Sequence, residues 1–176
     1  MNVSISYSVV LTTLLTAGTL LAQNTGLVTP MLGAGTHQAS IAGNIDDNGT
    51  DLRVSLNAQG GYFIADCVEV GAYAGFGFTG DNSKSGSAGV FGEYNFDIGT
   101  LLVPYAGVGL GWRGLDTRFN DESFIESSIW GGARFFFVNH AAVGCDLLLK
   151  MASDNVYNDG NDATDWELRI GTSWYF

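Results

Sequence analysis

Basic side chains are the scarcest chemistry in this chain. Seven Lys and Arg stand against eighteen Asp and Glu, a formal charge of −11. Nucleic-acid surfaces are built from clustered Lys and Arg, as are patches that dock on anionic lipid, and the composition argues against both. Cysteine is nearly absent. Cys67 and Cys145 form no CxxC and no Cys/His cluster at zinc spacing, which argues against a structural zinc site. The strand assignment below puts the two on opposite sides of the fold, so both are read as unpaired. Proline occurs only at Pro30 and Pro104, and no capped segment of helical period follows residue 22. Helical and disordered architectures lose their support with these absences.

Glycine and aromatics fill the gap: 25 Gly, 11 Phe, 7 Tyr and 4 Trp in 176 residues. That mixture suits close-packed strands, and the length allows one domain plus an export signal. Residues 9–21 (VVLTTLLTAGTLL) form an apolar run too short to span a bilayer comfortably as a helix, with Ala22-Gln23 as a small-residue cleavage point. Residues 1–22 are therefore expected to be a secretory signal peptide. Its basic n-region is reduced to the α-amino group of Met1, since no Lys or Arg occurs there. Residues 23–35 are expected to be a short leader, and 36–176 the mature fold.

From Thr36 onward, apolar residues recur at every second position in runs of about ten, the period of a strand. Strands are predicted at 36–44, 52–64, 68–79, 87–96, 102–113, 122–137, 141–151 and 164–176. The breaks alternate in length. Those at 65–67, 97–100 and 138–140 are tight, and those at 45–51, 80–86, 114–121 and 152–163 are longer and polar. Alternating short and long connections predict an eight-stranded, antiparallel, up-and-down β-barrel that is transmembrane, with short turns periplasmic and long loops outside. Both termini then lie on the periplasmic side.

Residue identity decides which face meets lipid. Phe176, Trp174, Ile170, Leu168 and Trp166 share one face of the last strand, against Tyr175, Ser173, Gly171, Arg169, Glu167 and Asp165. On the apolar face, Tyr62, Phe96, Phe135, Phe137, Trp174 and Phe176 gather near the tight turns, and Phe76, Phe78, Trp112 and Trp166 near the long loops. Two aromatic bands around an aliphatic middle are the interfacial girdles of a membrane barrel. The other face carries Arg53, Arg113, Arg134, Lys150 and Arg169 with Glu69, Glu93, Glu126, Asp146 and Glu167. Five cations and five anions shut away from lipid must pair, because an unpaired ion in low dielectric is costly. They are predicted to form an interior network, with Gly71, Gly75, Gly77, Gly107, Gly109 and Gly111 leaving room for the long Arg and Glu side chains.

The stretches at 61–71 (GYFIADCVEVG), 104–111 (PYAGVGLG) and 132–143 (GARFFFVNHAAV), with the terminal Trp174-Tyr175-Phe176, resemble the small outer-membrane β-barrel family that includes OmpA-type, OmpX-type and OmpW-type domains. The resemblance spans nearly the whole mature chain. It implies the outer membrane of a diderm bacterium as the location, outer-membrane lipids and the barrel-assembly machinery as partners, and Phe176 as the assembly signal. It says little about activity.

No cofactor is implied, and catalysis finds little support. A lipid A-modifying hydrolase needs a His base, a Ser nucleophile and a carboxylate near the outer leaflet, whereas His140 lies in a tight turn and His37 at the periplasmic start of the first strand. The oxygen-rich loop 155–162 (NVYNDGND) departs from EF-hand spacing, so it reads as a solvated acidic turn rather than a Ca²⁺ site. Gly107-Val-Gly-Leu-Gly111 has no following helix to bind phosphate. The expected function is a non-enzymatic envelope barrel with a structural or surface-interaction role, contacting an extracellular ligand through its loops. The alternatives are OmpW-like passage of small apolar molecules and, third, lipid A modification.

Overall fold

Alternation of apolar and polar residues is strong enough to fix every strand's facing, and the observed ladders follow it. The computed structural model describes residues 28–47, 52–79, 84–116, 121–153, 155 and 162–176. The region assigned to a signal peptide lies outside them, as does nearly all of the 155–162 loop. Eight antiparallel strands close into a barrel in chain order: β1 His37–Asp47, β2 Leu52–Ala65, β3 Val68–Thr79, β4 Lys84–Asn95, β5 Leu102–Asp116, β6 Asp121–Val138, β7 Ala141–Ala152 and β8 Thr164–Tyr175. The expected order and facing hold. The main differences lie at the ends near the long connections, where β1, β4 and β5 run about three residues further than the alternation indicated. There Asp, Lys, Ser and Gly interrupt the alternation, so period two fades while the backbone ladder continues.

The tight connections have local causes. Cys67 turns the β2–β3 hairpin with φ 66°, a left-handed conformation that is uncommon outside Gly. Between β4 and β5, Gly99 takes φ 72° and its N–H donates to Asp97 Oδ1 at 2.9 Å, an Asx-type turn. Register shifts sit between Phe63 and Ala65 and between Phe136 and Val138, just before the β2–β3 and β6–β7 turns. Bulges of this kind bend the strand where it must reverse.

The outer surface is apolar over its middle. Leu110, Val90, Ile170 and Ile129 all point outward, and Leu110 is 55% exposed. Exposed apolar area this continuous is untenable in water and natural in lipid. Both aromatic bands stand on this face, with Tyr62, Phe96, Phe137, Trp174 and Phe176 at one level and Phe76, Phe78, Trp112 and Trp166 at the other. Cys145 shares the outward face of β7 with Val143 and Leu147, far from the Cys67 turn, and neither cysteine is bonded.

Closure is uneven around the barrel. β1 pairs with β2 along its whole length, from His37↔Tyr62 to Asp47↔Leu52. With β8 it makes only six pairs, Gln38↔Tyr175 to Gly43↔Ile170. Among the described residues, the halves of β1 and β8 nearest the long connections do not pair with each other.

Candidate functional site: a lumen sealed at two levels

Inside the end with the tight turns, Leu32, Phe63, Val103, Phe136, Ala142 and Tyr175 form a dry cluster. Leu32 comes from the segment expected to be a short leader. Residues 28–36 fold across the mouth and are tied there by backbone bonds. Met31 N–H donates to Asn139 O at 3.2 Å, Cys67 N–H to Leu32 O at 2.8 Å, and Gly35 N–H to Phe63 O at 2.9 Å. Two turn side chains add anchors: Asn139 Oδ1 accepts from Thr29 N–H and Asp66 Oδ1 from Ala34 N–H. These contacts are invisible to periodicity, because the segment has none.

Above the cap lies a layer of ion pairs threaded through aromatics. Arg134, almost fully buried, gives Glu93 a two-pronged contact and donates to Asn95 Oδ1 at 2.8 Å. Its guanidinium lies 3.9 Å from the centre of the Tyr105 ring. Trp130 Nε1–H donates at 3.0 Å to Glu93 Oε2, an oxygen that Arg134 Nη2 also holds. Tyr105 O–H donates to Asp146 at 2.6 Å, and Arg169 Nε–H binds the second Asp146 oxygen at 2.7 Å. Charged hydrogen bonds at such distances, cut off from water, are strong when every partner is present. Nearer the long connections, Arg113 meets Glu126 at 2.9 Å, while Lys150 pairs with Glu167 and reaches Asp165 at 3.9 Å.

Eight of the ten expected interior charges thus meet as four pairs. Glu69 does not. Glu69 is fully buried with no hydrogen-bond partner on either carboxyl oxygen; its ladder partners are Phe63 and Glu93. Arg53 pairs with Thr79 on the same ladder at the opposite end of β2, and its side chain lies outside the described residues. Ten residues at about 3.3 Å each separate positions 53 and 63, so Arg53 stands too far from Glu69 to be its partner. Sequence reasoning also missed Tyr105 and Asn95, which complete the network from positions with no charge.

The glycines need correction as well. A Cβ at Gly107 would lie 2.4 Å from the Trp130 ring, at Gly71 2.6 Å from Phe91, and at Gly111 2.4 Å from Tyr73 Oη. They admit aromatic rings, not the long Arg and Glu side chains. Rings need a flat neighbour on the adjacent strand, and only Gly supplies one. Phe91, Tyr105, Trp130 and Leu148, with Tyr73 against them, form the second apolar cluster.

A closed eight-stranded barrel with an apolar outer belt is a recurrent outer-membrane architecture. The sequence model described as "Outer membrane protein beta-barrel domain" matches residues 8–176. The chain belongs to that family. No curated protein matches it. Among solved structures, the N-terminal β-barrel domain of Pseudomonas aeruginosa OprF is similar at 17% identity and TM-score 0.61, covering 82% of this chain and 99% of that one. Neisserial surface protein A is similar at 18% identity and TM-score 0.61, covering 80% and 96%. OprG from Pseudomonas aeruginosa follows at 15% identity and TM-score 0.53, covering 82% and 97%. At such identities the likeness concerns the barrel itself. In this family barrel His37 packs between Tyr62 and Phe176, and His140 O accepts from Tyr175 N–H. Both histidines stand at the end with the tight turns. Among the described residues, no three His, Cys, Asp or Glu side chains gather as a metal site.

Proposed function

We propose that this protein is a non-conducting, non-enzymatic barrel that contributes to envelope integrity and presents its long connections for contact at the cell surface. One observation carries the reading: the lumen is closed twice, by the Leu32 cap and by the Arg134–Glu93–Trp130 layer. An eight-stranded interior is only wide enough for side chains to fill, and here buried pairs and rings fill it. Export by a cleaved signal, recognition of Phe176 by the assembly machinery, and an extracellular ligand at the loops belong to the same reading. Phe176 suits that role, since it is 68% exposed at the end of β8 while its backbone is bonded to His37 in both directions.

Planar-bilayer recording tests the proposal. The purified barrel is expected to give no stable unitary conductance, and long-lived, ion-selective openings would refute the sealed lumen. Cells lacking the gene should become detergent-sensitive with unchanged lipid A mass. A second reading, passage of small apolar molecules into the bilayer, is favoured by the short β1–β8 seam. Uptake of an apolar probe that depends on the protein, in cells whose detergent resistance is unaltered, would favour it.

A further inference from the structure

Beside the ion-pair layer, at the base of the β1–β8 seam, five side-chain atoms are buried with no hydrogen-bond partner: Glu69 Oε1 and Oε2, Gln38 Nε2 and Oε1, and Tyr175 Oη. They belong to one place. Gln38 is the ladder partner of Tyr175 on β8 and of Gly61 on β2. Gly61 has no side chain, and Glu69 Oε1, coming from β3, fills nearly the spot where its Cβ would stand. The carboxyl thus takes the position of a cross-strand neighbour of Gln38, where facing Cβ atoms are about 5 Å apart. Tyr175 stands equally near on the other side. None of the three residues is more than 3% exposed.

Charge does not balance there. Glu69 faces Glu93 across the β3–β4 ladder, and Arg134 on β6 gives its donors to Glu93 and Asn95. Tyr105 on β5 turns its hydroxyl to Asp146. Two carboxylates and one guanidinium leave one negative charge over, and a buried ion without compensation is very costly. An anion would add to the excess. Oxygen donors of this kind, a carboxylate, an amide carbonyl and a phenol, suit hard cations. Calcium takes about six to eight oxygens and magnesium keeps several waters, whereas a single carboxylate in a dry site matches a single positive charge. A sodium-sized ion, like a hydrated proton, fills roughly the room of one water molecule, on the order of 10–15 Å³.

We propose that Glu69, Gln38 and Tyr175 form an occluded site for one monovalent cation, a sodium-sized ion or a hydrated proton, held by the Glu69 carboxylate, Gln38 Oε1 and Tyr175 Oη. The ion ties β3 to β1 and β8, the two strands that share the six-pair ladder, so its occupancy favours the closed barrel.

The test uses the mature barrel refolded into vesicles of uncharged lipid at constant ionic strength. In one series choline, a cation too large for the site, is replaced stepwise by sodium in alkaline buffer; in the other, choline is kept and the buffer is made mildly acidic. The urea midpoint is expected to rise saturably in at least one series, because a ligand of the folded state stabilises it. A rise with sodium identifies an alkali ion, and a rise with acid alone identifies a proton. Glu69→Gln, which keeps the shape and removes the charge, should abolish the response. Gln38→Leu and Tyr175→Phe should lower the apparent affinity at least about tenfold, as losing one partner of a charged group implies. Should these variants fail to fold, the carbon-13 shift of the Glu69 carboxyl in the unmodified barrel is followed through the same two series. A response unchanged in Glu69→Gln, a midpoint that moves in neither series, or a Glu69 carboxyl shift that moves in neither would overturn the site.

Discussion

Arg134→Ala removes the cation around which the central layer is built. In the intact barrel Arg134 satisfies Glu93 twice, holds Asn95 Oδ1 and covers the Tyr105 ring. After truncation Glu93 keeps the Trp130 indole and the Asn95 amide, at 3.0 and 3.3 Å, but no positive charge. Breaking a buried pair by removing one partner costs about 3–5 kcal/mol. The lost ring contact adds about 0.5–2 kcal/mol, and the orphaned Asn95 oxygen about 1–3 kcal/mol if no water replaces the guanidinium. These terms sum to about 4.5–10 kcal/mol, and water entering the gap brings the expected loss towards the lower end. Arg134→Met combined with Glu93→Leu should regain most of it, because no buried charge is left and only neutral donors and acceptors lack partners. Urea titration of the barrel refolded into lipid vesicles, read by tryptophan fluorescence and by heat-modifiable gel mobility, gives all three values. A single-mutant loss below about 1 kcal/mol, or a double mutant as unstable as the single, would refute the view that charge pairing holds this layer.

Three further outcomes are expected. Leu110→Arg, at mid-height on the lipid face, should cost about 2–4 kcal/mol, and Trp112→Arg, in the aromatic band, about 0–1 kcal/mol, both by the same titration; equal costs would remove the depth assignment. Cysteines at Lys84 and His140, in a Cys67→Ser, Cys145→Ser background, should respectively react and fail to react with an impermeant maleimide on intact cells; the reverse pattern would invert the topology. Leu32→Ala should release the cap while leaving the ladders intact, seen as faster deuterium exchange at the Cys67 and Gly35 amides alone; unchanged exchange there would mean that Leu32 does not hold the cap.

What could be read from the sequence was whatever repeats. Strand number, order and facing follow from period two, and the aromatic bands follow once facing is known. The inward charges were legible one by one, because each stands at an even step from a neighbour on its strand. Their partners were not, since pairing depends on register between strands and on height in the barrel. Arg53 and Glu69 illustrate this: they stand on neighbouring strands, yet at opposite ends of the β2–β3 ladder. The cap was illegible for a different reason. Leu32 is one apolar residue in an aperiodic stretch, and only the turns at Asp66 and Asn139, distant in sequence, tell it where to sit. Gly71 and Gly107 carried a usable signal in retrospect, since each stands across the ladder from a large inward aromatic.

The six-pair seam between β1 and β8 has a mechanical meaning. Every other ladder joins strands adjacent in sequence, whereas this one joins the first and the last and so carries the largest loop-closure cost. It is also the place where the fewest bonds have to break at once. Pulled from its ends, the barrel should yield first along this line and then unroll strand by strand as a curved sheet. The apolar belt would meanwhile keep the sheet in the bilayer. The bonds from His37 N–H to Phe176 O at 2.8 Å and from Phe176 N–H to His37 O at 3.0 Å then act as the clasp at the foot of that line. The force needed to undo them sets the threshold for everything that follows.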